Sequence, residues 1–222
     1  MPLIHRKLAR NFGPALLVLV ASAACSHNVN LSRAHTIHHP TAAERALGIY
    51  QAYSDADIEF MTGMIPHHAQ AVIMAGWAPS HGASSDIAIL CERILVGQAD
   101  EIETMQAWLA DRGLPVPDAK STRMRMKMGG IEHDMLMPGM LTDEEMAELD
   151  KARGAEFDRL FLIGMIKHHQ GAVDMVNDLF MRYGAAQDDT IYKFASDVFA
   201  DQSIEIGVMQ KMLESVGGLT AP

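Results

Sequence analysis

DIEFMTGMIPHHAQAVIM, residues Asp57–Met74, returns further along the chain as DRLFLIGMIKHHQGAVDM, residues Asp158–Met175. Ten of the eighteen positions are identical, among them both members of two adjacent histidine pairs, His67-His68 and His168-His169. A packed helix requires apolar residues at fixed spacings, but it does not require a histidine pair twice at one register. The repeat therefore indicates that a helical unit was duplicated and that the histidines retain a chemical role.

The segment that follows each copy also repeats, and this extends the unit to two helices. The matched residues are Gln98, Glu101, Ile102, Met105, Gln106 and Leu109 with Gln202, Glu205, Ile206, Met209, Gln210 and Leu213. Caps and glycine stops predict helices over about 54–77, 84–112 and 188–216, and a further main helix after Gly154. The chain is thus predicted to be all-α, a four-helix bundle made of two helical hairpins. The predicted boundaries are 52–112 and 156–217 for the hairpins and 113–155 for a methionine-rich connection. No strand-like alternation of useful length appears.

The N-terminal residues are typical of an export signal. Basic residues precede an apolar run over 12–24 that is too short to span a bilayer comfortably. Signal peptidase would cut either after Ala21-Ser22-Ala23 or directly before Cys25, which would then be lipidated; the position of the lone cysteine favours the lipid anchor. With residues 1–24 removed, residues 25–51 are predicted to be a flexible linker, and the mature domain is predicted to work in the periplasm or anchored to the bacterial membrane.

Composition and motifs exclude several classes of function. The formal charge of −10 disfavours nucleic acid, because phosphate binding requires clustered lysine and arginine. The chain has no nucleotide-binding glycine motif, no H-E-x-x-H and no G-x-S-x-G. No glutamate is followed three residues later by histidine, which argues against the di-iron site of ferritin-like oxidases. Cys91, the one internal cysteine, is expected to be a small buried hydrophobic residue.

The helix repeats carry soft metal ligands beside the histidines. In the first copy Met61, Met64 and His67 follow one another at helical spacing, with His68 next to them. Thioether together with imidazole suits Cu(I), and imidazole alone suits Cu(II) or Zn(II). The alternative is that the methionines fill the core and the histidines only make hydrogen bonds.

The second copy retains part of this set. It keeps Met165, His168 and His169 but has Leu162 in place of Met61. Binding by the two copies is therefore expected to be unequal.

The connection between the hairpins contains six methionines within seventeen residues. They are Met124, Met126, Met128, Met135, Met137 and Met140, with His133 among them. Glycines and a proline prevent a long helix that would bury them on one face. We therefore expect an accessory soft-metal site or an entry lid, and the alternative is an apolar flap over the bundle end.

Four acidic residues accompany the repeats. Asp57 and Asp158 either start their helices or hold an imidazole in one tautomer. Glu101 and Glu205 lie in otherwise apolar helices and are expected to be partners of the histidines or ligands themselves.

The repeat M-I-x-H-H-x-x-A-V-x-M, the following E-I-x-x-M and the stretch GGIEHDMLMPGMLTDEEM resemble the family called domain of unknown function 305. The resemblance covers about Ala52–Gly217. It implies an exported, ferritin-like four-helix bundle, and for some members it implies copper binding and tolerance. Carried over by position, the implied ligands are Met64, His67, His68, Met165, His168 and His169.

The sequence favours a non-enzymatic protein that sequesters or transfers copper, as Cu(I) or Cu(II), with a periplasmic donor or acceptor protein as partner; zinc is a further candidate. A membrane contact is expected only through the lipid anchor. The alternatives are a metal-dependent redox enzyme that uses the same bundle site and an interaction module without metal. Whether the two histidine pairs form one site or two is left open, as is the oligomeric state.

Overall fold

A computed structural model describes residues 36–49, 51–128 and 130–218 of the protein. The elements follow in the order β1 (Ile37–His38), α1 (Ala42–Ala46), β2 (Tyr53–Ser54), α2 (Asp55–Gly76), α3 (Ala78–His81), α4 (Ser85–Asp111), β3 (Met124–Met128), β4 (Ile131–Met135), α5 (Asp143–Lys151), α6 (Ala155–Met181) and α7 (Asp189–Gly218). The predicted signal peptide and Cys25 lie outside the described residues.

The four long helices α2, α4, α6 and α7 confirm the predicted four-helix bundle. Both ends of α2, α4 and α7 and the start of α6 fall within one or two residues of the expected positions. Helix α2 begins with a capping box in which the Ser54 hydroxyl accepts from the Asp57 N–H and the Asp57 carboxylate accepts from the Ser54 N–H. The helix then continues through Pro66 as far as Gly76. Local cap chemistry thus sets the start of the helix that carries the first histidine pair.

The bundle interior consists of two apolar clusters. The first contains Phe60, Met64, Ile102, Leu109, Val176 and Ile191. The second contains Met74, Ile87, Phe157, Met165 and Met209. Helices α2 and α7 pass from the first cluster to the second, and α4 and α6 pass in the opposite direction. Each long helix therefore crosses the middle of the bundle between the clusters.

Each hairpin is tied to the other by an aspartate at the start of its first helix. Asp57 Oδ1 accepts a hydrogen bond from the Ala186 N–H at 2.7 Å, just before α7. Asp158 accepts from the N–H of Ser84, the N-cap of α4, at 3.2 Å. Because buried carboxylates need such partners, these bonds fix how the two hairpins align.

The predicted flexible linker is attached to the domain over the part that the structure describes. Strand β1 pairs antiparallel with β2, so that Ile37 lies opposite Ser54. The His38 ring stacks on Tyr53, and its Nε2 lies 2.7 Å from Asp55 Oδ1. Composition alone cannot show such pairing, because it depends on the start of α2.

The connection 113–155 differs from the expectation in one respect. Strands β3 and β4 form an antiparallel hairpin in which Met124 lies opposite Met135, so the expectation that no strand of useful length occurs was wrong here. The alternation of Met with Arg and Lys in β3 is the pattern of a short strand with one face toward the protein.

The residues after this hairpin, Met137–Leu141, cross the bundle as a strap. Gly139 has φ +77°, and a Cβ added to it would meet the Lys167 carbonyl oxygen at 2.5 Å. A Cβ added to Gly171 would meet the Pro138 oxygen at 2.0 Å. Gln70 holds the end of the strap with its side-chain amide, which donates to the Leu141 oxygen and accepts from the Leu141 N–H. The strap therefore lies directly on α6 and is bound to α2.

Gly171→Ala should destabilise the protein by about 1–3 kcal/mol, because backbone rather than a flexible side chain occupies the space that the new methyl group needs. Gly207→Ala is the matched control, since Gly207 lies in α7 with open space around its Cα. That control should stabilise the helix by about 0.5–1 kcal/mol. Urea unfolding followed by circular dichroism measures both changes, and equal stabilities would contradict the close contact at Gly171.

Candidate metal centre

One layer of polar side chains separates the two apolar clusters. All four long helices contribute to it, two residues each: His67, His68, Gln98, Glu101, His168, His169, Gln202 and Glu205. The four histidines are fully buried, whereas the two glutamate side chains keep 24% and 16% of their surface exposed. The layer is therefore internal, with its carboxylates at the edge.

The four imidazoles form one row across the bundle. The ring centroids of His68 and His67 are 6.1 Å apart, those of His67 and His168 are 3.8 Å apart, and those of His168 and His169 are 6.2 Å apart. The two repeats meet at the central pair, so the histidine pairs belong to one cluster.

Each imidazole uses its Nε2 atom for a hydrogen bond. His67 donates to the Pro138 carbonyl of the strap at 3.0 Å, and His168 donates to the His67 carbonyl at 2.9 Å. Because a carbonyl oxygen can only accept, the proton of each central ring lies on Nε2.

The outer rings, His68 and His169, also use their Nε2 atoms, but their partners are carboxylates. His68 Nε2 lies 2.8 Å from Glu101 Oε2, and His169 Nε2 lies 2.7 Å from Glu205 Oε2. Glu101 and Glu205 are thus hydrogen-bond partners of the outer histidines, one of the two roles expected for them. Such a carboxylate partner also makes the opposite ring nitrogen more basic.

The other nitrogen of every ring, Nδ1, is buried and has no hydrogen-bond partner within the described residues. In a neutral ring with its proton on Nε2, Nδ1 carries a free lone pair. Four ring nitrogens without partners in the middle of a core are unusual, because buried polar atoms nearly always have partners. They are suitable ligands for a metal ion that accepts imidazole nitrogen.

The central rings are held neutral. The pKa of His67 is well below its usual value, first because burial disfavours the charged ring and then because of its neighbour His68. The pKa of His168 is lowered in the same way by burial and then by His67. Neutral rings are the form that binds metal.

The predicted thioether ligands lie on both sides of the row. Met61 and Met64 are fully buried in the first apolar cluster, and Met165 is fully buried in the second. Met64 and Met165 each lie one helical turn before the histidines of their own helix. Within the described residues no three His, Cys, Asp or Glu side chains converge on one point, so a set of three or more ligands must include another kind of ligand, such as a thioether.

The methionine-rich connection reaches this region with only part of its predicted ligands. A Cβ added to Gly63 would lie 3.4 Å from the sulfur atoms of both Met124 and Met137. Met140 is buried, and its sulfur accepts from the Met137 N–H at 3.2 Å.

Two other members of the predicted accessory set lie on the surface. His133 and Met135 are exposed on β4. The side chains of Met126 and Met128 lie outside the described part of the structure.

Asp57 and Asp158 do not hold imidazoles, so this alternative for them was wrong. Their carboxylates accept from backbone N–H groups at helix starts, as described above. Cys91 is buried in the second cluster, as expected, and burial raises the pKa of its thiol to about 12.

Sequence reasoning missed three contributors to the layer: Pro138, Gln98 and Gln202. Gln98 and Gln202 occupy matching positions in the two repeats, and this match was the signal that the sequence offered. The role of Pro138 has no sequence signal, because the group used is a backbone carbonyl.

Fold and site together define a class: a four-helix bundle with a buried layer of histidines between apolar clusters that contain methionine. The family model described as domain of unknown function (DUF305) matches residues 57–213. The chain belongs to this family.

Solved structures support the same assignment. A presumed secreted DUF305 protein from Streptomyces coelicolor is 29% identical, with a TM-score of 0.61, and the match covers 73% of this chain and 94% of that one. CopM in its Cu(I)-bound form is 27% identical, with a TM-score of 0.54, and the match covers 72% of this chain and 96% of CopM. CopM has also been solved with Cu(II) and with silver. The ferritin-like fold is thus shared with proteins that bind these metals.

A curated relative, an uncharacterised protein of Acanthamoeba polyphaga mimivirus, is 36% identical over 64 residues. The match covers 29% of this chain and 41% of the length of that relative. Among the described residues, no helix combines the length and apolar character that a membrane crossing requires.

The metal-free protein should lose stability as the pH falls below about 6.5, the usual imidazole pKa. The unfolded chain takes up protons there, whereas the lowered pKa values of His67 and His168 keep these rings neutral in the folded protein. Unfolding then takes up protons and becomes more favourable, until the pH falls below the folded pKa values. Urea unfolding between about pH 7.5 and about pH 5 measures how the free energy of unfolding depends on pH. The double change His67→Gln with His168→Gln should make this dependence weaker. An unchanged dependence would contradict the lowered pKa values of these two histidines.

Proposed function

We propose that this protein binds copper as a cargo at the histidine layer, outside the cytoplasm, and that it sequesters the ion or passes it to a partner protein. The observation that carries the proposal is the set of four buried Nδ1 atoms without partners, each on a ring whose Nε2 is bound. The copper-bound and silver-bound structures of CopM support it, because that protein shares the fold.

The ligand types favour copper over zinc. Structural zinc sites take four nitrogen, sulfur or oxygen ligands from His, Cys, Asp or Glu, and the described residues bring no three of these together. Cu(I) accepts thioether sulfur as well as imidazole nitrogen. We therefore assign His67, His68, His168 and His169 as nitrogen ligands, at most two of them to any one ion, with Met64 and Met165 as thioether ligands on either side and Met61 one helical turn before Met64.

The strap gives the methionine-rich connection a part in this function. Pro138 binds His67 directly, and Met137 lies over Gly63 of the same helix. Movement of the strap would free the Nε2 atom of His67 and bring Met137 and Met140 toward an entering ion, while Met124 of β3 already lies beside Met137 over Gly63. We propose that these three thioethers deliver Cu(I) to the layer.

The proposed location follows from the N-terminal sequence and from the presumed secreted relative. Export, with or without a lipid on Cys25, would place the protein where copper enters the cell. A periplasmic copper donor or acceptor would then be its partner.

Replacing all four layer histidines with glutamine should reduce bound copper by at least about tenfold while leaving the helical content near normal. A glutamine amide can still donate a hydrogen bond near the former Nε2 position, but it places no lone pair at Nδ1. Cu(I) and Cu(II) are titrated separately against a chromogenic chelator, with protein purified without a histidine tag.

His81→Gln is the control for this variant. His81 is also a buried histidine, but both of its ring nitrogens have partners, Ser80 Oγ and the Asp150 carbonyl. Its replacement should leave the copper stoichiometry unchanged. Full copper binding by the four-histidine variant would refute the proposed site.

Met64→Leu with Met165→Leu should weaken Cu(I) binding by about tenfold or more and leave Cu(II) within about threefold, because thioethers prefer Cu(I). Leucine preserves the buried volume, so the fold should persist. Met74→Leu is the control, since Met74 is equally buried but packs against Gly164 in the second cluster. Equal losses for the two oxidation states would argue against sulfur ligands.

A further inference from the structure

A cleft of about 330 Å³ lies between α4 and α7, at the edge of the polar layer. The polar groups that line it include Gln98, Glu101, Gln202 and Glu205, two equivalent residues from each repeat. Arg93 and Asp201 complete its charged lining. The two repeats therefore present matching groups to one shared space.

The two glutamine amides have unmet hydrogen-bonding capacity. Gln98 and Gln202 are only 4% and 3% exposed, and neither the oxygen nor the nitrogen of either amide has a partner within the described residues. Glutamine is rarely buried in this way, and a buried amide without partners destabilises a fold. Repetition of the arrangement in both halves indicates that the amides serve something held in the cleft.

The charge of the cleft restricts what that occupant can be. Three carboxylates, Glu101, Asp201 and Glu205, face one guanidinium, Arg93, whose nearest nitrogen is 3.9 Å from Glu205 Oε1. An anion would be repelled, and an apolar ligand would leave the amides unpaired. A hydrated cation is attracted by the carboxylates and also gives the amides partners. The carboxylate and amide oxygens bind the ion or accept hydrogen bonds from its water, while the amide N–H groups donate to nearby oxygens.

We propose that the cleft between α4 and α7 binds a hydrated divalent cation through oxygen ligands, the side chains of Gln98, Gln202, Glu101 and Glu205. Carboxylate, carbonyl and water oxygens suit Mg²⁺, Ca²⁺ and Mn²⁺ rather than Cu(I). This site differs in ligand chemistry from the histidine row, and it does not depend on copper binding.

The carboxylates connect this site with the histidines. Glu101 and Glu205 accept from the Nε2–H groups of His68 and His169. An ion in the cleft would compete for the same carboxylates, so its binding and the orientation of the outer imidazoles are linked.

Mn²⁺ is the probe that tests the site, since its electron paramagnetic resonance signal separates free from bound ion. The full mature protein should bind one Mn²⁺ in the cleft. Gln98→Leu with Gln202→Leu should weaken that binding by about tenfold or more, because leucine has similar volume but no oxygen ligand. The single changes Gln98→Leu and Gln202→Leu, each expected to weaken binding about threefold or more, provide the test if the double variant does not fold.

Two control variants separate this proposal from the others. Gln210→Leu alters an exposed glutamine on the same helix and should leave Mn²⁺ binding within about twofold. His67→Gln with His168→Gln should retain Mn²⁺ even where copper binding is weakened, because these two rings bind backbone carbonyls and not the cleft carboxylates; this distinguishes failure here from failure of the copper proposal. Equal Mn²⁺ binding by the wild type and the glutamine variants would overturn the site. Absence of bound Mn²⁺ at millimolar concentration would also overturn it, and would leave the cleft filled by water alone.

Discussion

Four imidazoles buried side by side in one core can be stable only if their N–H groups have acceptors. A charge on either central ring, His67 or His168, would place an ion among close neighbours in a medium that solvates it poorly. The structure meets this constraint by pairing each Nε2–H with an acceptor from a different part of the fold: the strap, the backbone of α2, α4 and α7. The arrangement of the long helices and the path of the connection both serve this layer.

The Nε2 side of each ring has a hydrogen-bond partner, but the Nδ1 atom on the opposite side has none within the described residues. This unpaired nitrogen affects both the stability of the fold and the proposed function. An apolar layer would pack with less difficulty, since buried polar groups without partners destabilise a fold. Binding energy from an ion that the folded state alone recognises can offset that cost. The thioethers of Met64 and Met165 lie in the apolar clusters on either side, where they pack as core residues.

The repeat gives the site an approximate symmetry, and the strap breaks it. His67 donates to Pro138 of the strap, whereas its counterpart His168 donates to the backbone of His67 itself. Gly171 of α6 admits the strap by having no side chain, and the first copy has Gln70 at the corresponding place, where it binds Leu141. The two halves therefore share a scaffold but differ in their contacts with the strap. This difference adds to the replacement of Met61 by Leu162.

The sequence by itself determined the four helices, their ends and the histidine register, because apolar spacing, caps and glycine stops act over a few residues. It also indicated Glu101 and Glu205, since charged residues in apolar helices need partners. Only the tertiary structure decided that the histidine pairs form one row, that Asp57 and Asp158 bind backbone at helix starts, and that Pro138 closes the layer. It also decided that Gln98 and Gln202 share one cleft. These features depend on contacts between residues far apart in the chain, often through backbone atoms, and no local pattern encodes which backbone group a buried side chain will meet.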